Sequence, residues 1–188
     1  MDISPRERLV ETGLVLFHRD GFHATGIDRI LAEALVSKMT LYKYFPSKDA
    51  LILEVLRRRD ERFRAWLRAG VEQRAALPRG RLEALFETLA EWVEGASFHG
   101  CLFINATAEY GDAASPVRKA AAEHKALLRE WLTDLAREAG AAAPENLAGE
   151  LLLLKEGLIV SVQVSGTGGD FVETARRMAA RAIAAALD

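Results

Sequence analysis

At 188 residues, half of them hydrophobic, the chain is long enough for one or two domains and a substantial core. Its formal net charge of −2 excludes any argument for nucleic acid from total charge, so that question turns on distribution: residues 1–64 carry 12 Lys+Arg against 10 Asp+Glu, and residues 65–188 carry 13 against 17. No run of about 18 apolar residues and no basic segment leading into an apolar one is found, and a single cysteine cannot close an intrachain disulfide; no membrane partner and a cytoplasmic location are therefore expected.

Ser4-Pro5-Arg6-Glu7 is a capping box with proline at the first helical position. It predicts a helix with Leu9, Gly13, Leu16 and Phe17 on one face, ending near Asp20-Gly21. From Thr25 to Ala34, Ile27, Ile30, Leu31 and Ala34 fall at helical spacing, and Thr25 with Asp28 reads as a capping-box start. A turn over residues 34–36 then leads to Ser37, an N-cap, and to S-K-M-T-L-Y-K-Y-F-P-S-K. This stretch sets Lys38, Lys43 and Lys48 among Tyr42, Tyr44 and the hydroxyl residues Ser37, Thr40 and Ser47 without one acidic side chain. Lysines, hydroxyls and helix N-termini are the groups that contact phosphate. Two short helices joined by a tight turn are a helix-turn-helix whose second helix is placed to enter the major groove.

The segment from Arg6 to Leu51 resembles the DNA-binding domain of TetR-type transcriptional regulators, above all in A-T-G-I-D-R-I, V-S-K-M-T-L-Y-K-Y-F and S-K-D-A-L. The resemblance implies that Lys38, Met39, Thr40 and Tyr42 face the groove, with Ser37 in the same DNA-binding set, and that Thr25, Lys43, Tyr44 and Lys48 hold phosphates; Leu41 and Phe45 would be core. Lys38 can reach O6 and N7 of guanine. At the first turn position, where the family usually carries glycine, this chain has Leu35.

Phe45-Pro46 closes the recognition helix and Ser47 caps a linking helix expected over 47–68. The run Arg57-Arg58-Arg59 is followed by Asp60 and Glu61 and reads as a solvated helix face. Leu77-Pro78-Arg79-Gly80 is a break, after which a helix is expected from about Arg81 to Gly95. Phe98 to Gly111 would carry Asn105, Thr107, Glu109 and Tyr110 on a short apolar helix; its Gly-Cys-Leu-Phe opening is similar to one subgroup of the same family. Ser115-Pro116 opens a helix running to Ala139-Gly140. Leu147 to Val164 is apolar nearly all round, which predicts burial on every side and a second subunit on one of them. Asp170 with Glu173 reads as the cap of a last helix marked by Ala175, Ala179, Ala182 and Ala186.

The glycine turn at 166–169 lacks the strand and the Lys-Ser/Thr of a phosphate-binding loop. His99 and Cys101 have no third ligand nearby, and Cys101, His124 and Glu109 make a triad only on paper, so neither metal nor cofactor nor catalytic residue is expected. The expectation is an all-α chain of about nine helices. A DNA-binding domain over 1–48 would precede a ligand-binding and dimerisation domain over 49–188. Its function would be that of a homodimeric, ligand-responsive repressor on a palindromic double-stranded operator, and not of an enzyme. An unknown small organic effector would meet Trp92, Cys101, Phe103, Asn105, Glu109, Tyr110, His124, Leu128 and Leu158. A four-helix dimer interface would use Leu151, Leu154, Val162, Ala175, Ala179, Ala182 and Ala186.

Overall fold

A computed structural model describes residues 3–188, and every regular element among them is an α-helix. In chain order these are α1 (Pro5–Asp20), α2 (Ile27–Ala34), α3 (Lys38–Tyr44), α4 (Lys48–Arg74), α5 (Pro78–Val93), α6 (Leu102–Glu109), α7 (Pro116–Glu138), α8 (Pro144–Ser165) and α9 (Gly169–Leu187). They form two compact units: residues 1–62 with 101–124, and residues 63–100 with 125–188. Compactness thus draws a different line from the one expected between residues 48 and 49, and assigns α6 to the same unit as α1–α3.

In the first unit α1 starts as its sequence dictates. The Ser4 hydroxyl accepts from the Glu7 N–H at 3.2 Å, Pro5 occupies the first turn, and Gly21 at φ 89° closes the helix with its N–H on the Phe17 carbonyl. Leu9, Leu16, Phe17, Ile30, Leu41, Leu51, Ile52, Val55 and Leu56 are fully buried, each side chain contributing about 1.5–3 kcal/mol of transfer free energy. Phe17 and Phe22 stack with ring centroids 5.2 Å apart.

The start of α2 differs from the expected capping box. The helix begins at Ile27 behind Gly26, with no side-chain cap. The Thr25 hydroxyl is occupied instead, donating to the Gly21 carbonyl at 2.7 Å. Between α2 and α3, Leu35 adopts the left-handed conformation, φ 54° and ψ 47°, and is the one positive-φ residue other than glycine among those described. A leucine there costs roughly 1–2 kcal/mol. Two bonds define the turn, Leu35 N–H to Ala32 O at 3.4 Å and Val36 N–H to Leu31 O at 3.1 Å.

In the second unit α5 and α8 pack together and α9 packs on both. Pro78, expected to break the chain, opens α5 from its first turn, a position where proline's missing N–H costs nothing. α4 runs past the expected Arg68 to Arg74 because nothing before Leu77-Pro78 stops it. Gly70 permits the close approach of its helix to α5: a Cβ there would stand 2.5 Å from Thr88 Cγ2, and the Thr88 hydroxyl is committed to Ala84 O. α9 begins behind Gly168 without the side-chain cap expected from Asp170 and Glu173.

Candidate nucleic-acid interface

α3 is held by its apolar side. Leu41 is fully buried and Phe45 nearly so, which leaves the remaining side chains to solvent. The Ser37 hydroxyl accepts from the Thr40 N–H at 3.2 Å and lies 2.8 Å from the Thr40 hydroxyl, so both are engaged in starting the helix while Ser37 stays exposed. Lys38 is exposed with its ammonium 3.8 Å from Asp28, Met39 is 83% exposed, and Tyr42, Lys43 and Tyr44 are exposed beside them. Lys48 is half-buried at the first position of α4, next to Ser47, whose hydroxyl accepts from the Ala50 N–H. The structure thus brings together eight of the nine residues expected at DNA. Thr25 is the exception: its side chain is fully buried and its hydroxyl is spent on Gly21, so it has no surface to offer a phosphate.

The supports of this surface include side chains with no sequence signal of their own. Arg8 reaches from α1 to the Leu35 carbonyl at 3.4 Å, and Arg6 lies over the Phe45 ring at 5.5 Å while pairing with Glu54 at 2.9 Å. The triple arginine is not a uniform solvated face. Arg57 is exposed between Glu54 and Glu61, Arg58 binds Glu7 of α1, and Arg59 is half-buried, desolvation holding its guanidinium below its ordinary value. Arg62 adds bonds to Glu11 at 2.6 and 2.7 Å. Hydrogen bonding from Arg58 lowers the Glu7 carboxyl, and hydrogen bonding from Arg57, joined by Arg6, lowers that of Glu54.

The residues expected to meet a small molecule fall in both units. Cys101, Phe103 and His124 are buried in the first; the His124 ring stacks on Phe103 at 3.7 Å, and its Nδ1 is 2.7 Å from Asp60. Asn105 is half-buried in the same unit. Glu109 and Tyr110 are committed within that unit. The Phe22 and His23 N–H groups donate to the two Glu109 oxygens at 2.8 and 2.6 Å, Tyr110 stacks on His23 at 5.0 Å, and its hydroxyl donates to Asp49 at 3.2 Å. Trp92, Leu128 and Leu158 belong to the second unit. There Trp92 joins an aromatic cluster with Phe63, Trp66 and Phe98 at centroid distances of 5.0 to 6.3 Å. The sequence reading missed Lys155, 1% exposed, which binds Glu156 at 2.8 Å and lies 5.6 Å above the Phe63 ring. Burial opposes ionisation of Glu156, but Lys155 and Lys125 outweigh it and hold the carboxyl low. A single lysine inside the leucine-rich stretch of α8 was the available signal.

Of the residues expected at a dimer interface, Leu151, Val162, Ala175 and Ala179 are buried within the chain's own fold, and Leu154, Ala182 and Ala186 are half-buried. The outward apolar side chains are Leu153, Val160 and Val164 on α8 and Phe171 and Met178 on α9.

A helix-turn-helix with an exposed lysine and tyrosine face, followed by an all-helical body, defines a DNA-binding transcriptional regulator. Residues 9–55 match the bacterial regulatory proteins of the tetR family, and residues 78–179 match the tetracyclin repressor-like C-terminal domain; the chain belongs to the TetR family. A TetR-family transcriptional regulator from Streptomyces coelicolor is similar over 98% of this chain and 96% of its own, with 30% identity and a TM-score of 0.90. The reduced form of NemR from Escherichia coli gives a TM-score of 0.84 at 24% identity, covering 94% and 95% of the two chains. The transcriptional regulator YjdC of Escherichia coli K12 is 25% identical over 93% of this chain and 91% of its own. Among the described residues no helix is long and apolar enough to cross a membrane, and no cluster of three metal-ligating side chains occurs.

Proposed function

We propose that the protein is a homodimeric repressor acting in the cytoplasm, which binds a near-palindromic operator and responds to a small organic effector. The observation that carries the reading is the exposed face of α3, where Lys38, Met39, Tyr42, Lys43 and Tyr44 surround a buried Leu41. Lys38, Met39, Thr40 and Tyr42 address base edges; Ser37, Lys43, Tyr44 and Lys48 address the phosphate backbone. Twofold symmetry sets half-sites about one helical turn apart or a multiple of it. The second copy meets the outward side chains of α8 and α9, and the separate family matches of residues 9–55 and 78–179 support the division into reading head and helical body. Effector binding works by population shift, with a coupling of about 1–3 kcal/mol between effector and operator. Its candidate contacts are Cys101, Phe103, Asn105 and His124, all within the first unit; Glu109 and Tyr110 act instead as braces of the reading head.

The test is selection from random-sequence duplexes at fixed salt. A palindrome should be enriched by the wild type and not by Tyr42→Ala, which should remain dimeric. Enrichment of the same palindrome by both would remove α3 from the interface.

A further inference from the structure

The turn before α3 poses a problem that its own fold does not solve. Leu35 sits at φ 54° and ψ 47°, a conformation glycine takes freely and leucine does not. The bonds that shape the turn are all made by backbone atoms: the Leu35 and Val36 N–H groups donate to Ala32 and Leu31 carbonyls, and the Leu35 carbonyl accepts from Arg8. Any residue would make them. The leucyl side chain, 83% exposed, recovers nothing by burial either. A strained residue without return inside the molecule points to a contact outside it.

Its neighbours indicate the partner. Met39, four residues on, is also 83% exposed, and Lys38 and Tyr42 are exposed with it. Leu35 stands two residues before Ser37, the N-cap of α3, and so leads directly into the exposed surface already assigned to DNA. In the major groove the apolar feature of a base edge is the C5 methyl of thymine.

Resting on the DNA-binding reading above, we propose that Leu35 is a base-reading residue that meets, together with Met39, a thymine methyl group in each half-site. The side chain thereby contributes sequence preference where glycine would supply only the turn. A contact with sugar atoms would strengthen binding to all sequences alike, which makes the two separable.

The experiment takes the selected operator and replaces each thymine in turn by uracil, which removes the methyl and keeps base pairing. Affinities are measured at one salt concentration for the wild type, Leu35→Ala and Leu35→Gly. At one thymine of each half-site, uracil should weaken the wild type about fourfold, the factor for burial of one methyl group, and should leave both variants unaffected. Leu35→Gly relieves the backbone, so its loss of this discrimination cannot be a folding defect. Equal uracil effects in wild type and variants at every thymine would overturn the proposal. So would a uniform loss of affinity in Leu35→Ala with unchanged base preference, the mark of a sugar contact. A wild type that enriches no sequence would overturn the DNA reading itself, and this proposal with it.

Discussion

Burial and the Asp49 carboxylate push the Tyr110 phenol up to about 12 from an ordinary 10.0. Ionisation would place a phenolate against the carboxylate that now accepts its hydrogen bond. The neutral form is thus favoured by folding, and its contribution is present below about pH 10 and is lost as pH rises toward 12. Spectrophotometric titration should show a tyrosine ionising near pH 12 in the wild type and missing from Tyr110→Phe; loss in the variant of a tyrosine that ionises near pH 10 instead would mean that the bond to Asp49 is not formed. Little of this was legible from the residue string. Glu109 and Tyr110 read as polar groups on an apolar helix awaiting a ligand, whereas their partners, Phe22, His23 and Asp49, lie 61 to 87 positions away. Thr25 failed for the same reason: a hydroxyl in a loop gives no sign of which carbonyl will take it. Lys38, Met39 and Tyr42 were legible because Leu41 and Phe45 fix the helix's inner side, and the rest follows from helical periodicity.

Among the elements, α1 and α4 are joined by charge as well as by their core. Glu7 and Glu11 of α1 meet Arg58 and Arg62, and Arg6 meets Glu54. Both Glu7 and Glu54 are held below 4.5 in the fold. A carboxyl with a lowered folded value stabilises fully above its unfolded value, so this support is present above about pH 4.5 and disappears as pH falls through the lower folded values. Urea midpoints measured from pH 6 to pH 3 should fall below about pH 4.5, and the gap between wild type and Glu54→Gln should narrow over the same range. A gap independent of pH would show that Glu54 acts through packing and not through its charge. Helix starts with a hydroxyl cap, α1 and α3, were readable to the residue. α2 and α9 were not, since glycine precedes each and the polar residues nearby leave the first N–H groups uncapped. The arginine run misled because a string of charges does not say which side chain meets α1.

At the scale of the whole molecule, a reader of two half-sites needs two heads held at fixed spacing, so operator affinity depends on the joint between copies. Spacing of alanines pointed to α8 and α9 for that joint, through residues that the fold largely turns inward. Small residues let helices approach closely, and Ala175 and Ala179 do so inside the chain's own bundle. Leu151 and Val162 turn inward with them, while Leu153, Val160 and Val164 recur along the outer side of α8, and Phe171 and Met178 along α9. A helix apolar all round carries no sequence mark distinguishing its two destinations; exposure in the folded chain does. Leu153→Glu with Val160→Glu puts two carboxylates on this surface without touching the buried core. The double variant should sediment as a monomer at concentrations where the wild type is dimeric, keep its helical circular dichroism, and lose operator affinity by orders of magnitude because each head then binds its half-site alone. Sedimentation unchanged from the wild type would place the partner elsewhere. A monomer with undiminished affinity would separate dimerisation from operator recognition.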